Sequence, residues 1–240
     1  MSLKTRLDQA LVQRGLAATR SQAENYIRLG YVTVDGKPVT KPGQPVSKNS
    51  NLKLELKEQY VSRAALKLAG AAEKLKLDFK GKLVLDVGSS TGGFTDFALR
   101  QGAKKVVAID VGTNQMHPSL RHESRVELHE NTDIRQIEEL RDTPDIVLVD
   151  VSFISLREVL PYIKQLVGHP TLIMALCKPQ FEASDNDVHK GVVKNDAVRR
   201  RILGDFEDWA KNNFLIVAKA DSDVAGSKGN LERFYLLHKK

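Results

Sequence analysis

One cysteine, Cys177, stands in 240 residues. No internal disulfide framework can form, and no Cys/His cluster has the spacing of a structural zinc site. No stretch approaches the ~18 consecutive apolar residues of a membrane span. The opening Met1-Ser2-Leu3-Lys4-Thr5-Arg6 runs into charges and not into the apolar core of an export signal. These absences predict a soluble, cytoplasmic chain without a structural metal. What is present is ordinary for a globular protein: 41% hydrophobic and 28% charged residues. The length allows one large domain or two modest ones.

The distinctive property is basicity, a formal net charge of +7 and a pI near 9.4. It is unevenly spread. Residues 1–60 hold ten Lys+Arg against five acids, a net +5, and the remaining three quarters carry only +2. Positive charge concentrated on a small module suggests a polyanionic partner, nucleic acid before membrane.

Local pattern gives that module a shape. Leu7, Leu11 and Val12 recur at helical spacing between Arg6 and Gly15. Thr19-Arg20-Ser21-Gln22 has the form of a capping box, so a second helix is predicted over 20–29, with Ala23 and Ile27 inward and Gly30 as its stop. Tyr31–Val34 reads as a strand, Asp35-Gly36 as a tight turn and Lys37–Val39 as the returning strand. The segment RLDQALVQRGLAATRSQAENYIRLGYVTVDGKPV resembles an S4 domain, an RNA-binding module, over roughly residues 5–55. The resemblance implies phosphate contacts, with Arg6, Arg14, Arg20, Arg28, Lys37 and, just beyond, Arg63 as candidates. Stacking aromatics are few here, Tyr26 and Tyr31 before Tyr60. Structured RNA recognised through phosphates and shape is therefore expected over splayed single strands.

Beyond residue 60 short apolar runs alternate with helical stretches. Strands are predicted at 83–87, 106–109, 126–129, 146–149, 171–176, 215–218 and 233–237. That alternation implies βαβ crossovers and a doubly wound, mostly parallel sheet, whose ligands bind at the carboxyl ends of strands. After the first strand comes Asp86-Val87-Gly88-Ser89-Ser90-Thr91-Gly92-Gly93-Phe94. This is not G-x-G-x-x-G, so a nicotinamide dehydrogenase fits poorly. An acid two residues before the first glycine suits S-adenosylmethionine, which has no pyrophosphate to cradle. Asp110 ends the second strand, where a carboxylate accepts ribose hydroxyls, with Val111 beside it. Asp133-Ile134 follows the third strand, Asp133 placed to accept from an adenine amino group, and Asp150 ends the fourth. The expected cofactor site is thus Asp86, Gly88, Ser89, Ser90, Gly92, Gly93 and Phe94 on the first loop, with Asp110, Val111, Asp133, Ile134 and Asp150.

Nearly the whole chain resembles the hemolysin A (TlyA) family of RNA 2′-O-methyltransferases, an S4 domain joined to an FtsJ-like methyltransferase domain. The carriers are YVSRAALKL (60–68), DVGSSTGGF (86–94), DVSFIS (150–155), LCKPQFE (176–182), HKGVV (189–193) and GSKGNLE (226–232). Thr91 stands where FtsJ proper usually has proline. The resemblance implies an α/β fold: a Rossmann-like S-adenosylmethionine methyltransferase with a seven-stranded, mostly parallel sheet and a small N-terminal α+β S4 domain. The expected divisions are 1–58, a linker at 59–63, and 64–240. The implied partner is ribosomal RNA, and the implied catalytic tetrad is Lys67, Asp150, Lys178 and Glu232. A ribose hydroxyl is a poor nucleophile until it loses its proton, so such a group supplies positioning and a base. Lys178 is the expected base. A free lysine has a pKa of about 10.4, and a working base needs ~7–8; burial and Lys67 would lower it, Asp150 and Glu232 would oppose, and the sequence leaves the sign of the net shift open.

Other chemistries fit less well. Cys177 as a nucleophile on cytosine needs a positive pocket, whereas its segment is apolar. Asp150-Val151-Ser152-Phe153 lacks the Pro-Pro-aromatic pattern of amino-group methylation. His189 lies in a polar stretch, 184–194, expected as a loop over the site. Arg199-Arg200-Arg201 either extends the RNA track or is a solvated face. A membrane-lytic protein requires an apolar span or a strongly amphipathic segment, and none is evident. A non-catalytic RNA-binding or ribosome-assembly protein is the remaining alternative, and the intact tetrad argues against it.

Overall fold

The computed structural model describes residues 4–17, 19–28, 30–55, 60–226 and 228–240. Leu29, Glu58, Gln59 and Ser227, which fall in the predicted helix, linker and loop, lie outside the described residues. The chain divides into two units, 1–59 and 60–240.

The first unit runs β1 (Lys4–Arg6), α1 (Leu7–Gln13), α2 (Arg20–Arg28), β2 (Val32–Val34), β3 (Lys37–Pro38), β4 (Pro45–Ser47) and β5 (Leu52–Leu54). Both predicted helices form, and Thr19 Oγ1 accepts from Gln22 N at 3.2 Å, as a capping residue does. Leu7, Leu11, Ala23, Ile27, Val32 and Val46 pack as one core. Strands β1, β4 and β5 are too short to leave a periodic signal. They form by pairing, β1 with β4 and β5 with β2, both antiparallel.

Three of the expected phosphate contacts have work inside this fold. Asp8, in the first turn of α1, has no exposed surface. Its carboxylate accepts from Arg6 Nε and Nη2 at 3.1 and 2.8 Å and from Arg20 Nε at 3.0 Å. Hydrogen bonds from Arg6, then Arg20, hold the Asp8 pKa down at about 2. Arg14 donates to the carbonyls of Ser50 and Lys48 at 2.6 and 2.9 Å, tying the end of α1 to the β4–β5 turn. Arg28 and Lys37 lie exposed.

The second unit runs α3 (Ala64–Leu75), β6 (Leu83–Val87), α4 (Gly93–Arg100), β7 (Lys105–Ile109), α5 (Pro118–Arg121), β8 (Val126–His129), β9 (Ile146–Val149), α6 (Leu156–Leu166), β10 (Leu172–Cys177), α7 (Pro179–Glu182), α8 (Asp196–Asn213), β11 (Phe214–Asp221) and β12 (Arg233–Lys239). The seven strands lie in the order β11-β12-β10-β9-β6-β7-β8. β6 to β10 are parallel, and β12 is antiparallel to both β10 and β11. Period-two alternation divides the core. Val84, Val106, Leu148, Met174 and Phe234 face α3 and α4. Leu85, Val147, Ile173, Tyr235 and Leu237 face α6 and α8. β11 extends beyond the predicted 215–218 at both ends because it pairs along its length with β12.

Residues 60–63, expected as linker, pack on α4. Val61 N donates to Asp96 Oδ2 at 2.8 Å. The Tyr60 ring lies 5.9 Å from Phe97, under the Arg100 guanidinium. The arginine triplet is absorbed into ion pairs: Arg199 with Asp221, Arg200 with Asp196 and Arg201 with Asp187. Cys177 is fully buried among apolar neighbours, and burial pushes its thiol well above the usual range.

Removing the Asp8 carboxylate strips three charge-assisted bonds from the first unit. Asp8→Ala is expected to cost that unit about 2 kcal/mol, seen as faster amide exchange in α1 and α2 with protection unchanged in the seven-stranded sheet of the second unit. Because the folded pKa is depressed, the contribution is present above the ordinary value of 3.8 and is lost as pH falls towards about 2.

Candidate active site

Strand order reverses beside β6: β7 and β8 lie on one side, β9 and β10 on the other. The carboxyl ends of β6 and β9 therefore flank the switch point, where a doubly wound sheet opens a crevice. A cleft of about 490 Å³ lies there, lined by Gly88, Ser90, Asp110, Val111, Asp133, Ile134, Asp150 and Phe153 among others. A smaller pocket of about 150 Å³ is lined by Ser62, Ser89, Ser90, Gly93, Phe94, Asp150 and Lys178. Gly88, Ser90, Asp150 and Ser152 belong to both linings. The two pockets thus connect the predicted cofactor loop to a predicted catalytic lysine.

The glycines serve the protein's own packing. Gly88 has φ +83°, and a Cβ there would sit 2.8 Å from the Asp150 carbonyl oxygen. A Cβ on Gly93 would sit 2.2 Å from Ser62 Oγ. The tight loop lets β9 and the start of α3 approach it.

Asp86 does not line the cleft. Strand alternation turns it away, towards α4, where it is fully buried and accepts from Thr95 Oγ1 at 2.6 Å. Burial, aided by the nearby carboxylates of Asp150 and Asp110, pushes its pKa up to about 7. Asp110 accepts from Ser90 N and Gly112 N, both at 2.7 Å, one on each oxygen. A carboxylate has about four acceptor sites, so capacity remains on each oxygen. Asp133 is held by Arg135, through Nη2 at 2.6 Å and Nε at 3.0 Å. Val111 is 68% exposed, whereas Ile134 is buried.

The four tetrad residues form two ion pairs. Lys178 Nζ lies 2.7 Å from Asp150 Oδ1 and donates to Ser152 Oγ at 2.7 Å. Lys67 Nζ lies 2.7 Å from Glu232 Oε2. Lys178 and Glu232 are buried, and Lys67 is nearly so. Topology brings them to one end of the sheet. β9, β10 and β12 are neighbours, and Cys177 is paired with Arg233. Lys178 and Glu232 flank that last pair, one directly after β10 and the other directly before β12. Asp150 ends the adjoining strand. Lys67 lies one turn along α3 from Ala64, which lines the smaller pocket with Lys178.

Several site residues have no simple sequence signal. Phe153 is 92% exposed with φ +65°, and its ring packs 5.2 Å from Phe181. The loop carrying it is fixed by buried Glu182, which accepts from Ser155 Oγ and Leu156 N at 2.6 and 2.7 Å. Asn230 ties the expected 184–194 loop down: Nδ2 donates to Gly191 O at 2.9 Å, and Oδ1 accepts from Val193 N at 3.0 Å. Arg199 Nε donates to Leu231 O at 3.0 Å, so the triplet's first member anchors the chain beside Glu232. An aromatic three residues after a strand-end acid, as in Asp150-Val151-Ser152-Phe153, is the sequence cue that points to Phe153.

A glycine turn and acids at successive strand ends, joined to two buried lysine–carboxylate pairs, define a Rossmann-like methyltransferase unit. The FtsJ-like methyltransferase family model matches residues 60–240, and the S4 domain model matches residues 5–52. The chain is 38% identical to the 16S/23S rRNA (cytidine-2′-O)-methyltransferase TlyA of Mycobacterium tuberculosis, over 99% of this chain and 91% of that one. It is 37% identical to hemolysin A of Brachyspira hyodysenteriae, over 97% and 98%. A solved Streptococcus thermophilus protein described as a hemolysin aligns over 100% of this chain and 90% of its own, with 34% identity and a TM-score of 0.75. The chain belongs to the hemolysin A (TlyA) family of S4–FtsJ-like methyltransferases. Among the described residues, no helix is long and apolar enough to cross a membrane.

The raised Asp86 pKa has a measurable consequence. Its contribution favours folding fully below 3.8 and is lost as pH rises through about 7. Each tenfold change in proton affinity between the unfolded and folded chain corresponds to roughly 1.4 kcal/mol. The thermal midpoint of the second unit should fall between pH 5 and pH 8, and Asp86→Asn should flatten that slope.

Proposed function

We propose that this chain transfers a methyl group from S-adenosylmethionine to a ribose 2′-hydroxyl of ribosomal RNA, using Lys67, Asp150, Lys178 and Glu232. The observation that carries the reading is the Lys178–Asp150 pair at the wall of the smaller pocket, which shares lining residues with the cleft, with a second buried lysine–carboxylate pair, Lys67–Glu232, built from α3 and the residue before β12. The substrate class follows the name of the Mycobacterium tuberculosis relative.

The residues present fit the cofactor. Ser89 Oγ is buried at the wall of the smaller pocket without a hydrogen-bond partner among the described residues, and a buried polar atom in that state favours a polar ligand. The start of α4 opens into the smaller pocket, where the helix dipole favours a carboxylate. Asp110 suits ribose hydroxyls, and Val111 and Ile134 offer apolar contact to a base. When bound, S-adenosylmethionine supplies an electrophilic methyl on its sulfonium sulfur.

The chain's task is then to orient the acceptor and remove its proton. Lys178 is the base in this reading. Asp150 and Ser152 fix its nitrogen at the wall of the smaller pocket, in position to take the proton of an incoming hydroxyl. Lys67, paired with Glu232, orients the acceptor or a flanking phosphate. Phe153 presents an aromatic face at the cleft mouth, on which a nucleobase can stack. The first unit holds the RNA, with exposed Arg28 and Lys37 as its phosphate contacts and Arg6, Arg14 and Arg20 chiefly maintaining its shape. Arg63, at the N-cap of α3, is kept as a phosphate contact.

Lys178→Ala should lower methyl transfer to ribosomal RNA by about 10²–10⁴-fold, while calorimetry finds S-adenosylmethionine affinity essentially unchanged. Retained activity would remove Lys178 as the base. Deleting residues 1–58 should leave cofactor affinity intact but weaken RNA binding and flatten its salt dependence. Unaltered RNA affinity would refute the division of labour.

A further inference from the structure

Gln115 lies over the mouth of the cleft, on the loop that follows Asp110. That loop is not free to drift. The Glu130 carboxylate accepts from Asn114 N and Gln115 N at 2.9 Å each and from Met116 N at 3.3 Å, and it pairs with Arg121 at 2.5 Å. The exposed side chain of Gln115 reaches back across the crevice to the glycine loop, where its Oε1 accepts from Ser90 Oγ at 3.0 Å. Ser90 N in turn donates to Asp110. Holding Oε1 at Ser90 turns the amide nitrogen inward. Nε2 and Asp110 Oδ1 both lie close to the space where a side chain on Gly112 would begin, at 1.8 and 2.9 Å from that point. The two atoms are therefore at most about 4.7 Å apart.

This juxtaposition has a chemical meaning. Asp110 as a carboxylate only accepts, whereas an amide nitrogen only donates. A hydroxyl both donates and accepts. One lying between them gives its hydrogen to Asp110 and receives one from Gln115. Asp110 alone would leave that hydroxyl oxygen without a donor once water is excluded. Gly112 lets the Gln115 amide lie this close to Asp110, because a side chain there would meet the amide nitrogen at 1.8 Å.

We propose that Gln115 is a cofactor-binding residue that donates to a ribose hydroxyl of S-adenosylmethionine already bonded to Asp110. Ser90 orients its amide, and Glu130 anchors its backbone. The proposal rests on the cofactor reading given above. It assigns to the residue a preference for a nucleoside with an intact cis-diol.

The test is calorimetry on the full-length protein, which reads binding and not turnover. S-adenosylhomocysteine and its 2′-deoxy and 3′-deoxy counterparts are titrated into the wild type, Gln115→Met and Gln115→Glu. Gln115→Met keeps the length but removes the donor, and should weaken the ribose form about tenfold. Gln115→Glu adds a second acceptor and a like charge beside Asp110, and should weaken it further. With the deoxy form lacking the shared hydroxyl, wild type and Gln115→Met should agree within about twofold, as a double-mutant cycle requires. Wild-type binding that Gln115→Met leaves unaltered, or a loss of equal size with all three ligands, overturns the role of Gln115. A folded wild type that gives no heat with any nucleoside overturns the cofactor reading itself.

Discussion

The Asp150 carbonyl oxygen sits 2.8 Å from the point where a side chain at position 88 would begin. That approach of two strand ends is the constraint on which the site depends. It brings the turn after β6 against the end of β9, so the loop that lines the cleft and the acid that grips Lys178 share one wall. A side chain at residue 88 would drive the backbones apart and would also have to adopt φ +83°, a region costly for any residue but glycine. The switch point supplies a crevice in many folds, but here the missing Cβ determines how closely its two halves meet.

Charge is handled in pairs throughout. Two lysines and two carboxylates can lie away from water because each lysine nitrogen faces a carboxylate oxygen at 2.7 Å. Removing any one leaves an uncompensated charge away from water, which is the costly case. Carboxylates also stand beside the arginine triplet, although Arg200 and Arg201 keep exposed side chains. The three guanidiniums are matched by Asp221, Asp196 and Asp187, and Arg199 serves to steady the segment that delivers Glu232. In the first unit Arg6 and Arg20 converge on the single carboxylate of Asp8. Two cations on one anion leave a positive excess, so the unit's net charge of +5, which already counts Asp8, is redistributed and not reduced.

Legibility in the sequence followed periodicity and topology. The seven strands of the large sheet were readable because each is an apolar run long enough to alternate between two cores. The acids at their ends were readable because parallel strands present their carboxyl ends on one side. Side-chain direction was less legible. Asp86 sits one residue from the strand end, and the period of two turns it into the core towards Thr95 instead of into the cleft. β1, β4 and β5, three residues each, carry no pattern of their own. Asn230 and Glu182 act through contacts 37–39 and 26–27 residues away, which no local window contains.

Phe153 combines a left-handed backbone with an almost fully exposed ring. Each is unfavourable: the conformation costs of order 1–3 kcal/mol for a residue with a Cβ, and the ring is left facing water. Nothing in the packing of the sheet calls for either. The resting protein is therefore less stable than its own fold permits, at a residue poised on the rim of the crevice. Glycine at this position would suit the backbone better and would bring the chain nearer its stability optimum. That the chain carries phenylalanine instead sets backbone comfort at residue 153 against an aromatic surface on the wall of the cleft.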